Sequence, residues 1–335
     1  MILIKRIPHH CRVHPTHAQP LIHVPKAYRA DYHLRVRWYS DKSESDPRLR
    51  DLGRQIQDDY AQIRENYDTP KNPIVLAHGL LGFAELQVAG GWLPSVHYWR
   101  GISDALKANG VEVITAAVPP SGSIEERAEK LGQHIAEAAQ GKSVNIIAHS
   151  MGGLDARHMI SHLQPKDVDV CSLVTVATPH HGSAFADFVF NEIGAERLPS
   201  VYKILEGVGF STGAFSQLTR EYATKEFNPK TVDDPNVRYF SYGAMMDQPS
   251  LLSPFRQSHS ILQDAEGPND GLVSVNSSRW GEYKGTLVGV SHLDLINWTN
   301  RLRWTMRKLW LGKDPTFNAI AFYLDIADML AKEGL

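Results

Sequence analysis

The sequence predicts an α/β fold: a mostly parallel central sheet flanked by helices, with a helical insertion forming a lid or cap. Three observations carry this expectation. Short apolar runs at residues 73–77, 111–118, 143–148 and 168–177 alternate with helix-compatible segments, at the spacing of crossover units. The third run leads straight into His149-Ser150-Met151-Gly152-Gly153, a serine set between small residues and followed by a helix-compatible stretch. The alternation then stops at Gly182. Residues 183–228 place Phe185, Phe188, Val189, Ile193, Val201, Ile204, Leu205 and Val208 at amphipathic-helix spacing before strand character returns at 236–241. With 335 residues there is chain enough for one large α/β domain, and neither an internal repeat nor an interdomain linker divides it.

Composition narrows the class. The chain is 42% hydrophobic and 21% charged, and lacks an apolar run of bilayer-spanning length. Its net charge of −2 points to neither nucleic acid nor an anionic surface as partner. Residues 1–39 differ from the rest. They carry seven Lys/Arg against one acid, Asp31, which leaves a net of −8 for the remainder. An arginine-bearing, acid-poor N-terminus is the composition of a mitochondrial presequence, and Arg37-Trp38-Tyr39-Ser40 resembles a matrix cleavage site. Pro8, Pro15, Pro20 and Pro25 would interrupt a long helix there, so an ordered extension is the alternative. The six histidines of this segment are irregularly spaced and are not read as a metal tract. Two cysteines, Cys11 and Cys171, make no disulfide framework.

In chain order, Leu52, Ile56, Tyr60, Ile63 and Tyr67 recur at helical spacing and predict an amphipathic helix over 51–67. Pro70 and Pro73 end it. The strand at 73–77 runs into His78-Gly79-Leu80-Leu81-Gly82, and a helix is expected from about Tyr98 to Asn109. After the strand at 111–118, Ser123-Ile124-Glu125-Glu126 matches a capping box and opens a helix with Ile124, Leu131 and Ile135 on one face. Strands are expected again at 236–241 and 286–290, and closing helices at 293–311 and 317–330.

The chemistry centres on Ser150. Ala148-x-Ser150-x-Gly152 fits the strand, sharp turn and helix of a nucleophile elbow, whose strained serine demands nearly side-chain-free residues two before and two after it. A plain helix cap is the competing reading. A serine hydroxyl attacks only when a base takes its proton and a third group orients that base. On such a sheet the partners follow in the order serine, acid, histidine. Four histidines lie beyond Ser150 and its helix: His180, His181, His259 and His292. Only His292 follows the last predicted strand. For the acid, spacing leaves both Asp270, beside Gly271 at the head of a fresh apolar run, and Asp247, nearest the end of the preceding strand. The negative oxygen of an acyl-transfer transition state needs two backbone donors, for which the amides of Met151 and Leu80 are placed.

Together these motifs resemble lipases of the α/β-hydrolase superfamily. The likeness rests on His78-Gly79-Leu80-x-Gly82, Tyr98-Trp99-Arg100-Gly101-Ile102, Ala148–Gly153 with Leu154-Asp155-Ala156-Arg157, Thr178-Pro179-His180-His181-Gly182-Ser183, Asn269-Asp270-Gly271-Leu272-Val273 and His292-Leu293-Asp294. In style the chain is similar to fungal mitochondrial triacylglycerol lipases and to bacterial true lipases. The resemblance implies that Asp270 is the acid, that 183–228 is the lid, and that lipid esters are cleaved through an acyl-serine. A phospholipase or acyltransferase on the same triad is the alternative, and a non-catalytic interaction protein the remote one. Bacterial relatives hold a structural calcium. Asp294 matches one of its ligands and Asp247 could stand for a second, but Trp298 occupies the place of an expected glutamine. No cofactor is therefore expected.

Overall fold

The structure, a computed structural model, describes residues 52–80, 98–120, 122–190, 212–251, 253–298 and 317–335. The expected leader at 1–39 and the interior of the expected lid, 191–211, lie outside them. Seven strands form one sheet: β1 (Gln55–Ile56), β2 (Ile74–Ala77), β3 (Val113–Ala116), β4 (Ser143–His149), β5 (Asp169–Val176), β6 (Arg238–Met245) and β7 (Glu282–Val288). Their order is β1-β7-β6-β5-β4-β2-β3, and every pairing is parallel.

Parallel strands need crossovers, which cover both faces and make the strands continuously apolar. Alternate residues of β2 show this. Ile74 and Leu76 join the core beneath α1 (Ile102–Ala108) and α5 (Ala319–Lys332), with Ile102, Leu106, Phe322 and Ile326. Val75 and Ala77 join the opposite core under α2 (Ile124–Ala139), with Ala128, Leu131 and Ile135. The capping box that opens α2 has both arms: Ser123 Oγ accepts from the Glu126 amide, and Glu126 Oε2 accepts from the Ser123 amide. Between β4 and β5 lies α3 (Gly152–His158), and α4 (Arg256–Ala265) precedes β7.

Two sequence expectations need correction. Residues 52–67 are not helical: β1 pairs with β7, and the chain then turns through Asp58 at φ 64. Leu52, Ile56 and Tyr60 are buried as their spacing suggested, but Ile63 is exposed. β1 pairs in register with residues 231 positions away, Gln55 with Thr286 and Ile56 with Leu287, which local periodicity cannot register. Secondly, the segment after His292 begins with a single 3₁₀ turn, Asp294–Ile296, closed by Asn297 at φ 62. The rest of the expected 293–311 helix falls largely outside the described residues. The helix α4 was not foreseen in what reads as a loop. Among the described residues, no helix is long and apolar enough to cross a membrane.

Candidate active site

The strand order places the site. From β2 the chain steps outward to β3 and then returns to the other side at β4, so the connections leaving adjacent β2 and β4 run to opposite sides. Open α/β sheets form their binding crevice at such a switch point. Ala77 is in register with Ala148, so His78–Leu80 and His149–Met151 emerge side by side.

Ser150 sits at φ 57, a left-handed backbone that costs a non-glycine residue about 1–2 kcal/mol. Its amide donates to Val176 O at 3.0 Å, and its carbonyl accepts from Thr178 Oγ1 at 2.7 Å. The following turn leaves no room: a Cβ on Gly152 would lie 2.7 Å from Ala77 O and 2.8 Å from His78 O. This is the elbow expected from the small residues flanking Ser150. Among the described residues, neither the Met151 nor the Leu80 amide has a hydrogen-bond acceptor, leaving two N–H groups available beside the serine.

Asp270 and His292 are brought together from two loops. His292 Nδ1 donates to Asp270 Oδ2 at 2.7 Å, and the His292 amide donates to the Asp270 carbonyl at 2.9 Å. Asp270 Oδ1 accepts from the amides of Leu272 and Val273 at 2.9 and 2.8 Å. Gly271 makes that turn at φ 102, with Phe255 packed where a Cβ would go. Both side chains are buried, and the His292 ring packs on that of His149, centroids 4.5 Å apart, which sets it beside the elbow. Asp247, the other acid left open by spacing, makes no such contact. His180 is buried elsewhere and stacks on Trp280, while His259 backs the acid turn, its carbonyl accepting from Asn269 Nδ2 at 3.3 Å.

Of the two calcium candidates, Asp294 is engaged by its own loop. Asp294 Oδ2 accepts from the amide and hydroxyl of Ser291, at 3.0 and 2.6 Å, and so shapes the loop. Among the described residues no three His, Cys, Asp or Glu side chains cluster as a metal site.

Several residues of the site had no role assigned from sequence. Tyr98 OH accepts from the Gly79 amide at 3.1 Å and donates to His149 Nδ1 at 2.7 Å. Arg127 and Asp155, both fully buried, pair at 2.7 Å, and Arg127 also donates to the carbonyls of His78 (2.7 Å) and Pro119 (2.6 Å). The donor loop is thus tied to α2 and α3. One clue existed: Arg127 follows Ile124 by three and precedes Leu131 by four, a charge on the apolar face of its helix. Burial raises Asp155 to about 6 despite Arg127. Burial, aided by Arg127, lowers His78 to about 4. His78 is therefore neutral, with Nδ1 donating to Gly79 O and Nε2 accepting from the Val118 amide. The flanks of the expected lid are helical at 184–190 and through Thr212–Ser216, Tyr222–Phe227 and Asn228–Lys230. They meet at the base, where Asp187 pairs with Arg220 at 2.5 Å and the Ser183 amide donates to Leu218 O.

The chain is similar to known proteins. A family model described as a PGAP1-like alpha/beta domain matches residues 124–193. Triacylglycerol lipase 2 of Saccharomyces cerevisiae is 37% identical over 82% of this chain and 96% of its own length. A triacylglycerol lipase of Vibrio cholerae is 28% identical, covering 71% of this chain and 83% of its own. Among solved structures, Staphylococcus hyicus lipase superposes with a TM-score of 0.61 at 20% identity, over 81% of this chain and 98% of its own.

Proposed function

This chain belongs to the triacylglycerol lipase family of α/β-hydrolases, and from that we propose how it hydrolyses lipid esters. Ser150 is the nucleophile, His292 the general base and then acid, and Asp270 the group that orients His292. The supporting observation is the buried Asp270–His292 pair packed beside a serine at φ 57.

With Nδ1–H held by Asp270, the other ring nitrogen of His292 is free to accept the Ser150 proton. The oxygen then attacks the ester carbonyl carbon, and the Leu80 and Met151 amides receive the developing negative charge. His292 returns the proton to the departing alcohol. A water repeats the sequence in reverse, releasing the fatty acid and restoring Ser150. Fluorophosphonate labelling should mark Ser150, and Ser150→Ala should abolish both labelling and tributyrin hydrolysis. A Ser150→Ala protein with wild-type activity would refute the assignment. Glyceride, phospholipid and acceptor-alcohol substrates would identify the lipid class and any acyl transfer.

Two further elements complete the reading. The insertion at 183–228 acts as a lid whose apolar side rests on a lipid surface; Phe190, exposed at the end of its first described helix, supports this. Activity that rises as tributyrin passes its solubility limit is the expected sign. Residues 1–39 direct the chain to mitochondria, supported by their seven basic residues and single acid. Residues 1–45 fused to a fluorescent protein should import, and a cytosolic fusion would reject the idea.

A further inference from the structure

The hydroxyl of Tyr98 stands between the two halves of the site. It accepts from the Gly79 amide at 3.1 Å and donates to His149 Nδ1 at 2.7 Å. A phenol has one proton to give, and both of these bonds are buried. Three consequences follow from that accounting. First, the Gly79 N–H is occupied, so the donor loop presents its next amide, Leu80, to the serine. Second, with the Tyr98 proton given to His149 Nδ1, the neutral ring carries its hydrogen on Nε2. Third, the plane of the His149 ring is set, and against it lies the His292 ring, tilted 42° with centroids 4.5 Å apart. Tyr98 itself is held by edge-on contact with Trp99 at 5.3 Å, and Trp99 packs on Tyr323 of α5.

We propose that Tyr98 is a positioning residue for acyl transfer: its hydroxyl holds the donor loop at Gly79 while, through His149, it sets the face against which His292 moves. Neither Tyr98 nor His149 exchanges a proton with substrate in this scheme. Their effect is carried by the position of the Leu80 amide and by the orientation of the base. The proposal rests on the reading of Ser150, His292 and Leu80 given above, and the Ser150→Ala experiment fails or succeeds independently of it.

Tyr98→Phe removes one oxygen and retains the ring packing. On soluble p-nitrophenyl butyrate it should lower kcat 10- to 100-fold and leave KM within about twofold, since the defect arises as the oxyanion forms. An alkylboronic acid, whose serine adduct is tetrahedral and anionic, should bind more weakly by a similar factor. These values are to be normalised to fluorophosphonate-reactive sites, so that partial unfolding does not imitate the effect. A role confined to stability would lower the melting temperature or the reactive fraction but leave kcat and boronate affinity per site unchanged, and would overturn the proposal.

Should Tyr98→Phe not fold, two His149 variants decide the matter. His149→Asn retains an acceptor near the place of Nδ1 and should keep activity within about fivefold of wild type. His149→Leu removes the acceptor and should fall at least tenfold below the Asn variant per reactive site. Equal activities for the two would refute the proposal.

Discussion

The elbow at Ser150 and the turn at Asp270 are both held rigidly, but by different means. At the elbow, the backbone is set by strands and by contact: β4 fixes the approach, and Gly152 lies so close to Ala77 O that only hydrogen fits. At the acid turn, the backbone is set by side-chain hydrogen bonds. Asp270 Oδ1 gathers two amides, Asn269 Oδ1 takes the Gly271 amide at 3.0 Å, and Asn269 Nδ2 donates to Gly267 O at 3.0 Å. Packing leaves a mark in sequence because it demands small residues at fixed spacing. Polar turns leave less, because Asn, Asp and Gly serve in most loops.

The largest test of the difference is Asp270→Asn. The amide preserves the turn in size but presents a donor to His292 Nδ1 or swaps its acceptor, so kcat should fall about 10³–10⁴-fold while the melting temperature moves little. A large stability loss with residual activity would mean that the carboxylate serves mainly the fold.

At the elbow the order of effects should reverse. Gly152→Ala places a methyl group 2.7 Å from a backbone oxygen and should cost about 3 kcal/mol in urea unfolding, with activity lost only as the fold is lost or the turn displaced.

Acid should distinguish the two regions as well. His78, His149 and His180 are all pushed down by burial, His78 to about 4. The unfolded chain therefore takes up their protons first, and stability present above pH 6.5 is lost as pH falls toward 4. For His78 alone that amounts to about 3 kcal/mol. Asp155, raised to about 6, acts with opposite sign below that pH and offsets part of the loss. Melting temperature should thus decline from pH 7 to 5. Amide-exchange protection, corrected for intrinsic rate, should fall at pH 5 in residues 145–151, where His149 lies, before residues 268–275. The reverse order would break the contrast.

Smaller effects remain in the acid turn. Asn269→Ala removes bonds to the Gly271 amide and to the carbonyls of Gly267 and His259, and should cost roughly 1–3 kcal/mol with a moderate fall in kcat. Asp247→Asn should change kcat by less than about twofold.

The legibility of the chain follows the same division. Strands β2 to β6, the end of β7, the capping box of α2 and the elbow could be read because apolar runs and small-residue spacing are local; the start of β7, Glu282–Gly285, carries no such run. Asp270 and Asp247 remained open on spacing, since what separates them is a contact with His292, 22 residues on. The false helix at 51–67 shows the limit of burial patterns: Leu52, Ile56 and Tyr60 do face the core, but an edge strand and turns deliver them there as well as a helix would. Tyr98, His149 and Asp155 stood within recognisable motifs, and Arg127 on the apolar face of its helix, but none of them showed its partner. Their partnerships span 51 and 28 positions.

The register between β2 and β4 has a further consequence. Ala77 opposite Ala148 means that donor loop and nucleophile are gauged by one hydrogen-bonded ladder, although some 70 residues of chain lie between them. Length changes at the far ends of β3 or α2 leave that gauge untouched, whereas a slip of one rung would carry the Leu80 amide about 3.3 Å along the strand. The architecture therefore tolerates insertion and deletion in the intervening turns, away from Tyr98 and Arg127, while keeping the spacing on which the reaction depends.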